Sequence, residues 1–152
     1  MSDNKVLRYV SGLAAGFIAT LVFHQAVLAL LFAIDFIGIR PFPYRATEPF
    51  GVPAIWSLAF WGGVWGLVFV AVERWFPRAG GYWLAAIAFG ALFPSLVAWF
   101  VVFPLKGMDM AGGFRLAGLV TGLAVNGAWG LGTGLFLRAF NGPRQPPARY
   151  VL

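Results

Sequence analysis

The sequence predicts an all-α membrane protein with four transmembrane helices, arranged as two repeated hairpins with both termini cytoplasmic. Three observations predict it: four long uncharged runs, an uneven distribution of Lys and Arg around them, and a string that recurs in the second and fourth runs. The chain has 152 residues, 61% hydrophobic and 11% charged, with mean hydropathy +0.82. Soluble domains carry about 25% charged residues, so this chain is short of the polar surface that water requires. Its charges are clustered, leaving the uncharged runs 9–34, 50–72, 79–105 and 116–137. Each exceeds the roughly 20 residues with which a helix crosses about 30 Å of hydrocarbon. Continuous apolar runs, rather than alternation, select helices over a barrel. Helices are expected at about 10–34, 53–75, 82–104 and 116–138.

The first run is too long for a signal-peptide core and no small-residue cleavage site follows it, so it reads as a retained anchor. Cysteine is absent, which excludes disulfides, thiolate metal sites, covalent c-type haem and cysteine nucleophiles. The formal charge of +6 is explained by helix flanks rather than by a nucleic-acid partner. One side holds Lys5, Arg8, Arg74, Arg78, Arg138, Arg144 and Arg149. The other holds Arg40, Arg45, Lys106 and Arg115, diluted by Asp35, Glu48 and Asp109. The positive-inside rule therefore puts both termini and the short middle loop in the cytoplasm. Tyr9, Trp75, Tyr82 and Trp83 then fall at the inner interface, with Trp56 and Trp99 near the outer one.

Pro53 suits the first turn of the second helix, and Pro104 the end of the third. Pro94 lies inside the third helix, removes the hydrogen bond to the Gly90 carbonyl and is expected to kink it. The connection 35–52 contains Pro41, Pro43 and Pro49 and is apolar, with Phe36, Ile37, Ile39, Phe42, Tyr44 and Phe50. It is expected to fold over the outer end of the bundle, with a lid or docking surface as the sharper reading. Residues 141–152 read as a disordered cytoplasmic tail.

The string Gly63-Val64-Trp65-Gly66-Leu67 recurs 64 residues on as Gly127-Ala128-Trp129-Gly130-Leu131. The first and third helices match only through Leu13-Ala14-Ala15 and Leu84-Ala85-Ala86. Parallel repeats of this kind occur among transporters and also follow from any hairpin duplication. Small residues recur four apart in every helix: Gly12, Gly16, Thr20 and then His24; Gly62 and Gly66; Ala86, Gly90, Pro94 and Ala98; Gly118, Gly122 and Asn126, with Gly130 and Gly134 continuing the row. Lipid supplies no hydrophobic force between helices, so close approach through small residues must drive association. These stripes are expected to face inward, with Trp65 and Trp129 filling the gaps the glycines leave.

His24, Gln25 and Asn126 are the polar groups deepest in the spans. His24 lies ten residues before Ile34 and Asn126 ten after Leu116, each about 15 Å from the outer boundary, level with Pro94. Polar groups at that depth are costly and usually face a bundle interior or cavity. The packing reading has His24, Gln25 and Asn126 bonded to one another or to the carbonyl freed by Pro94. The functional reading has them line a solute or proton path. A haem or quinone at His24 lacks a second histidine for bis-His ligation. Asp35 is eleven residues from His24, about 16 Å along a helix, too far for an acid–base pair. No nucleophile elbow, zinc spacing or phosphate loop is present. Ser57, Ser95, Thr20, Thr121 and Thr133 read as helix-packing hydroxyls, and Glu73 as an interfacial ion pair with Arg74.

The strings Phe23-His24-Gln25, Glu48-Pro49-Phe50-Gly51-Val52-Pro53 and Trp61-Gly62-Gly63-Val64-Trp65-Gly66 resemble small proteobacterial four-helix inner-membrane proteins, a resemblance that brings no activity with it. Small multidrug transporters carry an essential glutamate in the first helix; here that helix has none. A fluoride-channel likeness has nothing to support it beyond size and a helical asparagine. The expectation is therefore a non-enzymatic membrane protein without cofactor, acting through helix packing as an accessory or assembly subunit or as a homo-oligomer. The alternative is a small dimeric transporter or channel with His24 and Asn126 lining the path.

Overall fold

The computed structural model describes residues 3–142, so the predicted tail lies outside the described residues except for Asn141 and Gly142, which close the last helix. In chain order the elements are α1 (Asp3–Ala19), a π-helical turn (Thr20–His24), α2 (Gln25–Ala33), the strands β1 (Ala46–Thr47) and β2 (Val52–Pro53), and α3 (Ala54–Val72). A 3₁₀ turn (Glu73–Trp75) leads to α4 (Gly80–Val97), a second π turn (Ala98–Val102) and α5 (Phe103–Leu105). A further 3₁₀ turn (Met110–Phe114) precedes α6 (Leu116–Asn141).

Four helices are long and apolar enough to cross a membrane: Lys5–Ala33, Ala54–Trp75, Gly80–Leu105 and Leu116–Asn141. The chain is thus a multi-pass helical membrane protein. The first span starts earlier than charge alone suggested, because Lys5 and Arg8 can extend their stems along the helix toward the interface. The fourth span runs on to Asn141, whose amide Nδ2 donates to the Leu137 carbonyl at 3.0 Å and caps its own helix.

α1 packs against α3, α4 against α6, and α1 against α6 across the middle. Between α3 and α4 the contact is made by rings. Phe89 meets Phe69 at 5.5 Å and Trp65 at 6.2 Å, both edge-on, and Phe69 also meets Trp129 at 6.3 Å. Edge-to-face pairs of this kind contribute about 0.5–1.5 kcal/mol beyond their buried area. Phe69, Phe89 and Trp129 are all buried.

Within each hairpin the small residues meet as expected. A Cβ on Gly12 would lie 2.8 Å from the Gly66 carbonyl oxygen, and one on Gly16 would lie 3.0 Å from the Gly66 Cα. In the other hairpin, a Cβ on Gly90 would lie 2.8 Å from the Gly130 Cα, and one on Gly130 would lie 3.0 Å from the Gly90 Cα. Gly62 is closed by the Thr20 hydroxyl and Gly130 by the Ala86 carbonyl.

The stripe on α6 does not face inward along its whole length. Gly118 is exposed, with open space where a Cβ would lie. Gly122 lies beneath the Trp99 ring and Gly134 beneath Tyr82, so side chains rather than backbones fill those two gaps.

Pro94 is buried, and α4 runs through it to Val97. The ladder then widens: the Phe103 N–H bonds to the Ala98 carbonyl, five residues back. A widened turn is a recognised cause of helix bending, and here it follows the proline by one turn.

Candidate functional site

The residues that could carry chemistry fall into two clusters, one toward the end of the bundle that bears the long connections and one at the end that bears the start of α1. In the first, the decisive feature is the π turn at Thr20–His24. The Gln25 N–H reaches back five residues to the Thr20 carbonyl instead of four. One extra residue per turn rotates everything beyond it by about 100° relative to the Gly12–Gly16–Thr20 stripe. The stripe therefore continues into Gln25, which is 0% exposed, and not into His24, which is half-buried.

The Gly16 carbonyl anchors this widened turn. It accepts from the Thr20 hydroxyl at 3.0 Å and from the Trp129 indole N–H at 2.9 Å. Trp129 thus adds a hydrogen bond between α6 and α1, while other atoms close the glycine gaps. Trp65 instead packs edge-on against Phe89.

Gln25 works in two directions. Its Nε2 lies 3.3 Å from His24 Nδ1, and its Oε1 accepts from the Phe42 N–H at 2.6 Å. That second bond secures the connection to the bundle at Phe42, whose φ of 51° is left-handed and unusual for an aromatic residue. The β1–β2 pair and the bonds from Ala54 N–H to the Arg45 carbonyl and Ile55 N–H to the Pro43 carbonyl (both 2.9 Å) hold the rest of the connection over α3. It is folded back on the helices, as its composition predicted, with Tyr44 and Phe50 outward.

Asn126 takes a different partner. Its Nδ2 donates to Ser95 Oγ at 2.9 Å, one residue past Pro94. Among the described residues, His24 and Asn126 do not hydrogen-bond each other. The reason is register: Asn126 shares the α4-facing seam with Gly130, while α6 turns Trp129 and Gly132 toward the first span. His24 with Gln25, and Asn126 with Ser95, are two separate polar pairs. The Thr20 and Thr121 hydroxyls bond carbonyls of their own helices, and Thr133 Oγ1 is buried without a partner.

The second cluster was not read from the sequence. Glu73, 3% exposed, forms an ion pair with Arg8, and the Tyr82 hydroxyl donates to Glu73 Oε1 at 2.7 Å. The Arg138 guanidinium sits 3.7 Å over the Tyr82 ring and 4.7 Å from that of Trp83. All four spans contribute to this chain of contacts, the third with both Tyr82 and Trp83. Among the described residues the ion pair of Glu73 is with Arg8 rather than the expected Arg74, since neighbouring residues on a helical turn point apart. Arg74 lies over the Trp75 ring at 4.2 Å instead. The signal that could have found the cluster is Glu73 itself, a carboxylate closing a span on the side richest in arginine.

No group of three or more His, Asp or Glu side chains able to hold a metal occurs among the described residues. The fold and these two clusters define a four-span helical membrane protein with bonded polar interior groups. Compared with protein families, curated proteins and solved structures, the chain matches none.

Proposed function

We propose that the protein is a non-enzymatic component of the bacterial inner membrane, oriented with both termini in the cytoplasm, that serves a larger membrane complex as an accessory or assembly subunit. The observation that carries this reading is that Gln25, Asn126, Trp129 and Glu73 each hydrogen-bond within the chain. Groups engaged this way fix helix register, each contributing about 0.6 kcal/mol on average in lipid. They are poorly placed to take up a solute.

Two hairpins of common origin fit the same reading. The seam partners Gly16 and Gly62 have counterparts in Gly90 and Asn126, and Gly12 and Gly66 in Ala86 and Gly130. This pairing aligns the first and third spans three residues away from the weak match in their sequences. A single cysteine at Arg78 would report the orientation, with labelling expected only from the cytoplasmic side.

The second reading, a small dimeric transporter with His24 on its path, is favoured by one feature. Widened turns and left-handed backbones recur at functional sites, and both occur here, at Thr20–His24 and Phe42. Substitution separates the two readings. In a packing role, His24→Asn preserves stability and phenotype, since an amide still bonds to Gln25, and Asn126→Leu costs about 1 kcal/mol through Ser95 alone. In a transport role both substitutions abolish activity while the fold stays intact. The measurement pairs detergent stability with recovery of partners from native membranes, read by mass spectrometry. Loss of phenotype in a stably folded His24→Asn protein would sink the assembly reading.

A further inference from the structure

Where α1 begins and α6 ends, the surface opens into a recess of about 530 Å³ lined by Lys5, Leu7, Arg8, Phe140 and Asn141. Small-ligand pockets span roughly 300–1,000 Å³. We propose that this recess binds the phosphate headgroup of an anionic phospholipid.

Three kinds of observation converge on that ligand. The first is charge. Lys5 is exposed and stands one turn from Arg8, which is paired with Glu73 yet keeps 31% of its side chain accessible. Glu73, buried against Arg8 and Tyr82, offsets one of these two charges and leaves the recess net positive. The second is hydrogen-bonding capacity. Asn141 lines the recess with a primary amide, of whose two hydrogens the Leu137 carbonyl takes one. The third is the apolar wall. Leu7 is 61% and Phe140 48% exposed, on the ends of the first and fourth spans. Cations beside exposed apolar surface at a span boundary match a lipid, with phosphate on Lys5 and Arg8 and acyl chain along Leu7 and Phe140. A free phosphate would have no use for that wall.

The test uses the full chain purified in detergent and titrated with phosphatidylglycerol, phosphatidylcholine or inorganic phosphate, with bound lipid counted by native mass spectrometry. Phosphatidylglycerol is expected to be retained in preference to phosphatidylcholine, and excess inorganic phosphate is expected not to displace it. Lys5→Gln, at an exposed position that does not endanger folding, should weaken binding about fivefold, equivalent to roughly 1 kcal/mol per cation at an anionic surface. Lys5→Arg should restore binding. Arg74→Gln, which removes a cation outside the recess, should leave it unchanged. Equal retention of phosphatidylcholine, full displacement by phosphate, or equal weakening by Arg74→Gln and Lys5→Gln would each overturn the proposal.

Discussion

Gly16→Leu is expected to part the first two spans and lower stability by about 3 kcal/mol or more, the upper end of what overpacking costs. A side chain there would run into the Gly62 carbonyl and the Gly66 Cα, which are backbone atoms that cannot turn aside. The same substitution would crowd the carbonyl that accepts both the Thr20 hydroxyl and the Trp129 indole, so α6 would also lose its hold on α1. Two leucine controls bracket the effect. Gly118→Leu enters open space and Val68→Leu enlarges an exposed side chain, so neither should shift the unfolding midpoint. Gly122→Leu should fall between, since it meets the Trp99 ring, which can rotate. Denaturant titration in detergent ranks the four. Equal midpoints for Gly16→Leu and Gly118→Leu would show that the seam is not where the helices touch.

Glu73→Ala should be nearly as damaging, at about 3 kcal/mol, because it strands a half-buried guanidinium and a buried phenol together. Removing one partner of a buried pair usually costs about 3–5 kcal/mol; the lower figure applies because Arg8 keeps access to water. Arg8→Met with Glu73→Met removes both charges and should recover much of the loss, since an apolar pair of similar volume carries no desolvation penalty. Arg74→Ala is the control, since Arg74 is exposed and its guanidinium lies over the Trp75 ring. Thermal unfolding of the four proteins decides the matter. A double variant no better than Glu73→Ala would mean that the cluster acts through its charges and not through packing.

The four spans were legible because lipid imposes a simple demand: about 20 apolar residues bounded by charge. The glycine seams were legible for a similar reason, since backbones approach closely only where side chains are small. What one sequence could not give was register. The π turn at Thr20–His24 adds a residue to the stripe and exchanges the places of His24 and Gln25. Five-residue spacing leaves no mark in a pattern read at 3.6 residues per turn. Asn126 lies beside Ser95, next to Pro94, and its side chain answers to the α4 seam, a matter of rotation about the helix that depth alone does not fix. Gly118 shows the converse error: the stripe continues in sequence where no neighbour lies within 4 Å of the place a side chain would take. Glu73 was read against its neighbour Arg74, whereas its partners Arg8 and Tyr82 lie on other spans and are brought near only by the bundle.

On the packing reading, the interior of the bundle is closed to water and its polar side chains, Thr133 apart, are hydrogen-bonded within the chain, leaving no aqueous path to His24. The chain has no native cysteine, so single cysteines placed at Thr20, Ser95 and Thr133 give a direct measurement. All three positions are buried, at 3%, 1% and 0% exposure, and a thiol is close in size to the hydroxyl it replaces. In intact membranes, a small water-soluble maleimide should modify none of the three until the protein is denatured, while a cysteine at exposed Tyr44 should react at once. Modification of the Thr20 or Ser95 cysteine in the native protein, from either side of the membrane, would reveal a water-filled path and contradict the packed interior.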